Sequence, residues 1–179
     1  MSVRRAPATL VIRDYRASDS IPEITELLHE AYSELARMGF RYVATHQGED
    51  VTARRLERGF PLIAEMDGRM VGTVTLYPSR PDHPVEWYRR PSVCYFGQFG
   101  VRPDLQRQGI GLELLRAVEA NARARAAKEI ACDTAEGAHH LRAWYEREGY
   151  RFIQTMDWPA TNYVSVVLSK RLASEEEPS

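Results

Sequence analysis

Between Phe99 and Leu112 the chain runs from a β-prone segment through a turn into a helix whose opening residues include two glycines, Gly109 and Gly111. The first amides of a helix have no partner inside it, and the helix dipole adds partial positive charge at the same end. A pyrophosphate can therefore be held by the main chain alone at such a place. Glycines suit it because an anion can approach the backbone closely and the turn can take φ values that a β-carbon resists. An ordinary surface turn with a helix cap uses the same residue types, and the flanking sequence has to decide between the two.

Two common phosphate loops do not fit. A Walker A loop needs Gly-Lys-Ser/Thr at its end, whereas Gly111 is followed by Leu112 and Glu113. A dinucleotide fingerprint needs a small third residue where Leu114 stands, and a βαβ start near the N-terminus. Bulk properties narrow the field further. With 179 residues, 44% apolar and 27% charged, the chain suits one domain with a sizeable core, expected over 1–172, followed by a frayed acidic tail over 173–179. A net charge of −1 argues against nucleic acid or an anionic membrane as a general partner. Only two cysteines occur, Cys94 and Cys132, both in apolar runs, which reads as buried thiols in a reducing compartment and not as a disulfide framework or metal site. No apolar run follows Arg4 and Arg5, and none approaches the ~18 residues of a membrane span, so a cytoplasmic protein is expected.

Periodicity gives the element order. A short strand is expected over Thr9 to Asp14, then a helix opened by the capping sequence Ser20-Ile21-Pro22-Glu23 and striped by Ile24, Leu27, Leu28, Ala31, Tyr32 and Leu35. A second short helix is expected over Glu49 to Arg58. Phe60 to Glu65 and Met70 to Tyr77 read as a hairpin joined at Asp67-Gly68. Pro78 to Pro91 holds four prolines and reads as a long loop. Val93 to Val101 is a strand, followed by the helix after Gly109, a strand over Glu129 to Asp133, a helix from about Ala138 to Glu148, and strands over Tyr150 to Thr155 and Tyr163 to Leu168.

The segment Gln106-Arg107-Gln108-Gly109-Ile110-Gly111 resembles the Q/R-x-x-G-x-G/A signature of the GNAT family, the GCN5-related N-acetyltransferases, and the element order is that of their fold. The resemblance runs from Thr9 to Leu172, with its specific residues between Phe99 and Tyr150. It implies an α+β fold: a central, mostly antiparallel sheet of six to seven strands with a splayed central pair, flanked by about four helices. It also implies acetyl-CoA as cosubstrate, held by Gln106, Arg107, Gln108, Gly109, Ile110, Gly111 and Leu112 at its pyrophosphate, and by Phe99, Gly100 and Val101 along its pantetheine arm. No metal is expected. The physical logic is independent of the family, since a splayed strand leaves amides and carbonyls that a diamide ligand can pair.

Trp144-Tyr145-Glu146-Arg147-Glu148-Gly149-Tyr150 is similar to the family's Tyr-Glu-x-x-Gly-Phe/Tyr element, which implies that Tyr145 is catalytic and stabilises the departing thiolate. On its helix alone, Tyr145 shares a face with Leu141, Trp144 and Glu148 and reads equally as core. The chain departs from the family where an asparagine and an alanine are usual, since Ala138 and Leu141 stand there; His139, His140 and Glu136 nearby read as solvated.

An attacking amine must lose a proton. The strand Val93 to Phe99 carries no carboxylate or histidine, leaving Glu34, Glu86, Asp133, Asp157 or a water chain as the acceptor of that proton. The implied activity is acetyl transfer to a primary amine of a small molecule or peptide, by direct attack in a ternary complex. The alternatives are a non-catalytic acyl-CoA-binding domain, or an enzyme that transfers a longer acyl chain. By resemblance the acceptor is bounded by Tyr32 to His46, Pro78 to Pro91 and Asp157 to Asn162, whose aromatic residues suit an amine or, equally, a homodimer face.

Overall fold

In the computed structural model, which describes residues 9–173, strands β1 (Leu10–Asp14), β2 (Phe60–Met66), β3 (Arg69–Tyr77), β4 (Val93–Val101), β5 (Glu129–Ala135), β6 (Arg151–Asp157) and β7 (Val164–Arg171) form one sheet in the order β1-β2-β3-β4-β5-β7-β6. Among these strands only β4 and β5 run parallel; every other pairing is antiparallel. Asp67 and Gly68 both take positive φ, as the tight hairpin between β2 and β3 requires. The helices are α1 (Ile21–Ala31), α2 (Ser33–Arg37), α3 (Glu49–Glu57), α4 (Ile110–Ala124) and α5 (His139–Arg147). The tail expected over 173–179 lies outside the described residues from 174 onward.

The alternation of side chains along the strands assigns each face its helices. Leu62 and Ala64 pack with Leu114, Leu115, Val118 and Ala122 of α4 on one face, while Ile63 between them packs with Ile24, Leu27 and Leu28 of α1 and Leu56 of α3 on the other. Gly100 has a packing role in this arrangement: a β-carbon there would lie 2.7 Å from that of Ala31, so α1 seats against β4 only because the residue is bare.

One expectation needs correcting. The stripe from Ile24 to Leu35 is not one helix, because α1 stops at Ala31 and α2 restarts at Ser33. Tyr32 at the break sets its ring edge-on to Tyr42, 5.3 Å away, a contact between aromatic rings that the periodicity of α1 does not encode. The loop after β3 is also more ordered than its prolines imply. It contains a 3-10 turn at Glu86–Arg89, and the Arg80 amide bonds to the Tyr88 carbonyl at 3.0 Å.

The expected splay is present and sharply placed. β4 is nine residues long, yet its register with β5 is confined to Val93 with Glu129, Cys94 with Ile130, and Tyr95 with Ala131. From Phe96 and Cys132 onward the two strands separate. β5 stays paired with β7 over all seven of its residues, so the opening lies wholly at the β4 seam. On its other side β4 pairs with β3 around an irregularity between Thr73 and Thr75, where Gln98 adopts φ 51.

Candidate active site

The turn at the end of β4 has the geometry its glycines foretold. Gly109 caps α4 with φ 86 and offers no side-chain cap, and the Glu113 amide is bonded to the Gly109 carbonyl at 3.0 Å. The amides of Ile110, Gly111 and Leu112 precede that bond and are directed out of the helix start. A β-carbon on Gly109 would meet nothing within 4 Å, and one on Gly111 only Val101 Cγ2 at 3.9 Å, so the main chain here borders open space. Arg107 also takes a left-handed φ of 62, and with Gln108 it is exposed. Gln106 behaves differently from its neighbours. Its side-chain amide donates to the Val101 carbonyl at 2.9 Å, so it ties the turn to the end of β4.

Phe99, Gly100 and Val101 lie on the part of β4 that β5 has left. Phe99 is half-buried and packs on Trp144 of α5, with ring centres 6.0 Å apart. Acetyl-CoA fits these features: a run of strand without a partner on one side leads to a turn of outward amides over open space.

Tyr145 sits at the point of the fork. Its ring packs against Phe96, with centres 6.2 Å apart, and Cys132 bears on its hydroxyl, so it lies beside the first residue of each strand beyond the pairing of β4 with β5. Gly149 at φ 92, with the Tyr150 amide bonded back to the Tyr145 carbonyl at 3.0 Å, fixes the end of α5. Burial pushes the Tyr145 hydroxyl well above the ordinary tyrosine range, with Cys132 adding to the effect. The group stays protonated, which suits hydrogen-bond donation and not transfer of a whole proton. Cys94 and Cys132 are free thiols, both buried, and burial raises each.

On the opposite face the fork opens into a cavity of about 590 Å³. Phe96, Gly97, Gln98 and Asp133 border it from the two diverging strands, and Tyr32, Tyr42, Tyr88, Trp158 and Tyr163 supply aromatic walls. Asp133 is the lone carboxylate among the described lining residues. Tyr88 OH donates to Asp133 Oδ1 at 3.2 Å and Trp158 Nε1 to Oδ2 at 3.1 Å. Burial raises the Asp133 carboxyl above its usual range, opposed by these donors and by the charge of Arg55. Glu34, Glu86 and Asp157 are exposed and border no part of the cavity. Glu136, His139 and His140 are exposed as well.

His83 reaches the cavity from the long loop, a position no motif signals. Its Nδ1 accepts the Val85 amide at 3.1 Å, and burial, reinforced by Arg80, holds its pKa down. The ring is neutral with its proton on Nε2, so neither nitrogen is free to take another. Gln98 and the arginines Arg55, Arg58 and Arg80 are further lining residues without a sequence signature. Gln98 is held at its bulge by Gln47 Nε2, which donates to Gln98 Oε1 at 2.8 Å. Among the described residues no cluster of histidine, cysteine or carboxylates is arranged to hold a metal, and no helix is long and apolar enough to cross a membrane.

Comparison with known proteins agrees with this geometry. The model of the acetyltransferase (GNAT) family matches residues 21–150. The chain is 27% identical over 155 residues to S-(2-succino)cysteine N-acetyltransferase of Bacillus subtilis (strain 168), covering 84% of this chain and 89% of that protein. Its fold matches a GNAT family acetyltransferase from Elizabethkingia anophelis with acetyl-CoA bound, at TM-score 0.66 and 18% identity over 91% of this chain and 98% of the other. It also matches the ribosomal-protein-S18-alanine N-acetyltransferase of Escherichia coli, at TM-score 0.70 and 16% identity over 96% and 100% of the two chains. A turn, a fork and a cavity in this order along one strand, together with a family match over most of the chain, lead to one conclusion: the chain belongs to the GNAT acetyltransferase family and is an acetyl-CoA-dependent N-acetyltransferase.

Proposed function

We propose that the fork between β4 and β5 is where the two substrates meet, with acetyl-CoA on the α4 and α5 face and a primary amine in the cavity on the other. The single observation that carries this reading is the placement of Asp133 and Tyr145 on opposite sides of one opening, one from the first residues β5 frees and the other packed on Phe96. Bound acetyl-CoA supplies a thioester carbonyl, at which the amine forms a C–N bond while the C–S bond breaks. The amides of Gly109 to Leu112 bind its pyrophosphate, with Arg107 and Gln108 alongside, while Gln106 keeps the turn in place. Phe99, Gly100 and Val101 offer main-chain groups to its pantetheine arm.

Asp133 accepts the proton that the amine sheds, and the raised carboxyl makes it a stronger base than an exposed aspartate. Tyr88 and Trp158 fix the orientation of that carboxylate. Tyr145 donates a hydrogen bond to the sulfur as negative charge develops there. The aromatic residues that suited either an acceptor or a homodimer face support the first use, since Tyr42 and Trp158 border the cavity. Two buried, reduced cysteines fit a cytoplasmic setting.

The relative in Bacillus subtilis is named for an amino-acid acceptor, which supports a small molecule over a protein substrate. Release of free thiol from acetyl-CoA, followed with a panel of small primary amines, tests the reading. Amine-dependent release that is lost in Asp133→Asn is expected. Amine-dependent release at the wild-type rate in that variant would remove Asp133 from the mechanism.

A further inference from the structure

Resting on the reading of the cavity as the amine site, we infer that the acceptor carries a carboxylate beside its amine, as a free amino acid does, and that Arg55 receives that carboxylate with Arg58 next to it. The contrast between two consecutive residues of α3 begins the argument. Arg54 is on the outside, with Nη1 2.9 Å from Asp50 Oδ2 one turn earlier in an exposed ion pair. Arg55 is half-buried and borders the cavity, and no carboxylate among the described residues lies within ion-pair distance of it. A guanidinium partly withdrawn from water has five donors, and those that turn from solvent need acceptors. Burial raises the hydroxyls of Tyr32, Tyr77 and Tyr163 and the Asp133 carboxyl around the cavity, and the charge of Arg55 opposes that rise at each of them. The residue therefore addresses the chamber.

The balance of charge in the chamber points the same way. Arg55, Arg58 and Arg80 border it, against the one carboxylate of Asp133. Arg80 is partly spent, since it pairs with exposed Asp82 at 3.1 Å. Arg58 is exposed but, like Arg55, has no ion-pair partner among the described residues, and its charge acts on Tyr77 and Tyr95. A polyamine or a lysine-rich segment entering this space would meet like charge. An amino acid has a carboxylate to offer Arg55 and Arg58 and an amine to offer Asp133, all three of which border the same cavity. The planar guanidinium matches a carboxylate through two parallel hydrogen bonds, which fixes orientation as well as charge. The aromatic walls contributed by Tyr32, Tyr42 and Tyr163 then face the part of the acceptor between and beyond these groups.

The test compares matched acceptors in thiol-release assays with the full-length protein: free amino acids of varied side chain, the same amino acids as their primary amides, and the polyamine spermidine. The expected result is that accepted amino acids exceed their amides by about tenfold or more in kcat/KM, carried mainly by KM, with spermidine the poorest. In Arg55→Gln the ratio of acid to amide falls to within about twofold, while Arg55→Lys restores part of it and both variants keep wild-type affinity for CoA. Calorimetric melting of each variant separates a lost contact from a lost fold. Equal rates for acid and amide, or a preference for spermidine, would overturn the inference while leaving the cavity an amine site. Absence of amine-dependent thiol release with every member of the panel overturns it together with the reading on which it rests.

Discussion

The turn from Gln106 to Leu112 is one consecutive segment that presents main-chain amides at the start of α4, whereas the cavity across the fork is assembled from side chains spread between Tyr32 and Tyr163. In the proposed reading the first recognises a feature common to every CoA ester, for which backbone amides at a helix start suffice. The second, as the proposed amine site, draws on charge, ring faces and shape from β4, β5, α3 and several loops. Two modes of failure follow. Substitution at the turn acts through φ and steric access, while substitution in the cavity acts by deleting a functional group.

Asp133→Asn should be the most damaging to turnover, lowering kcat by about 10²- to 10⁴-fold, the usual contribution of a general base. The same change should raise the melting temperature at neutral pH. Burial lifts the folded-state carboxyl above its unfolded value, so the protonated form is the one the fold favours, and the stability it brings is lost as pH rises through the folded pKa. A variant both inactive and less stable at pH 7 would show that the bonds from Tyr88 and Trp158 outweigh that burial.

Tyr145→Phe comes next, with kcat reduced ten- to a thousand-fold, roughly 1.4 to 4 kcal/mol, and CoA affinity nearly unchanged because the ring contacts persist. Wild-type turnover, under conditions where chemistry limits the rate, would leave this tyrosine as core alone. Since its hydroxyl is held far above the normal range, the rate should show no alkaline loss attributable to Tyr145 across ordinary assay pH.

At the turn, Gly111→Val should weaken CoA binding by about tenfold, 1.4 kcal/mol, with little change in stability, because the added carbon has only an ordinary contact with Val101 in the free protein. Gly109→Val should weaken binding and also destabilise the fold by about 1 to 2 kcal/mol, whereas Gly109→Asn, which tolerates the left-handed region, should keep most of the stability. Isothermal titration with CoA beside thermal melting separates the two effects. Arg107→Ala should be mildest, a few-fold in CoA affinity that disappears with added salt, as befits an exposed charge.

The turn and the strand order were legible because both are written locally. Gly109, Gly111 and Gly149 mark helix boundaries within a few residues of where they act, and the Asp67-Gly68 hairpin signals itself by the conformations those two residues tolerate. The break at Tyr32 was not legible, since a ring contact with Tyr42 competes there with a periodic stripe that continues unbroken in the sequence. The cavity was legible only as a list of segments. Asp133 stood among four candidate carboxylates, and it is the fork, a property of two strands 37 residues apart at Phe96 and Asp133, that singles it out. Nothing local in the helix expected over Glu49 to Arg58 tells Arg55, which borders the cavity, from Arg54, which is turned to water.

Three paired residues at the base of the fork have a mechanical consequence. β1 to β4 form one plate and β5 to β7 another, and the two are stitched by the short run from Val93 to Tyr95. A ligand whose amides bridge Phe99, Gly100 or Val101 would lengthen that stitch from within, so the seam is at its strongest only while it carries its load. Amide exchange at the seam, not at the plates, should therefore slow most when CoA is added.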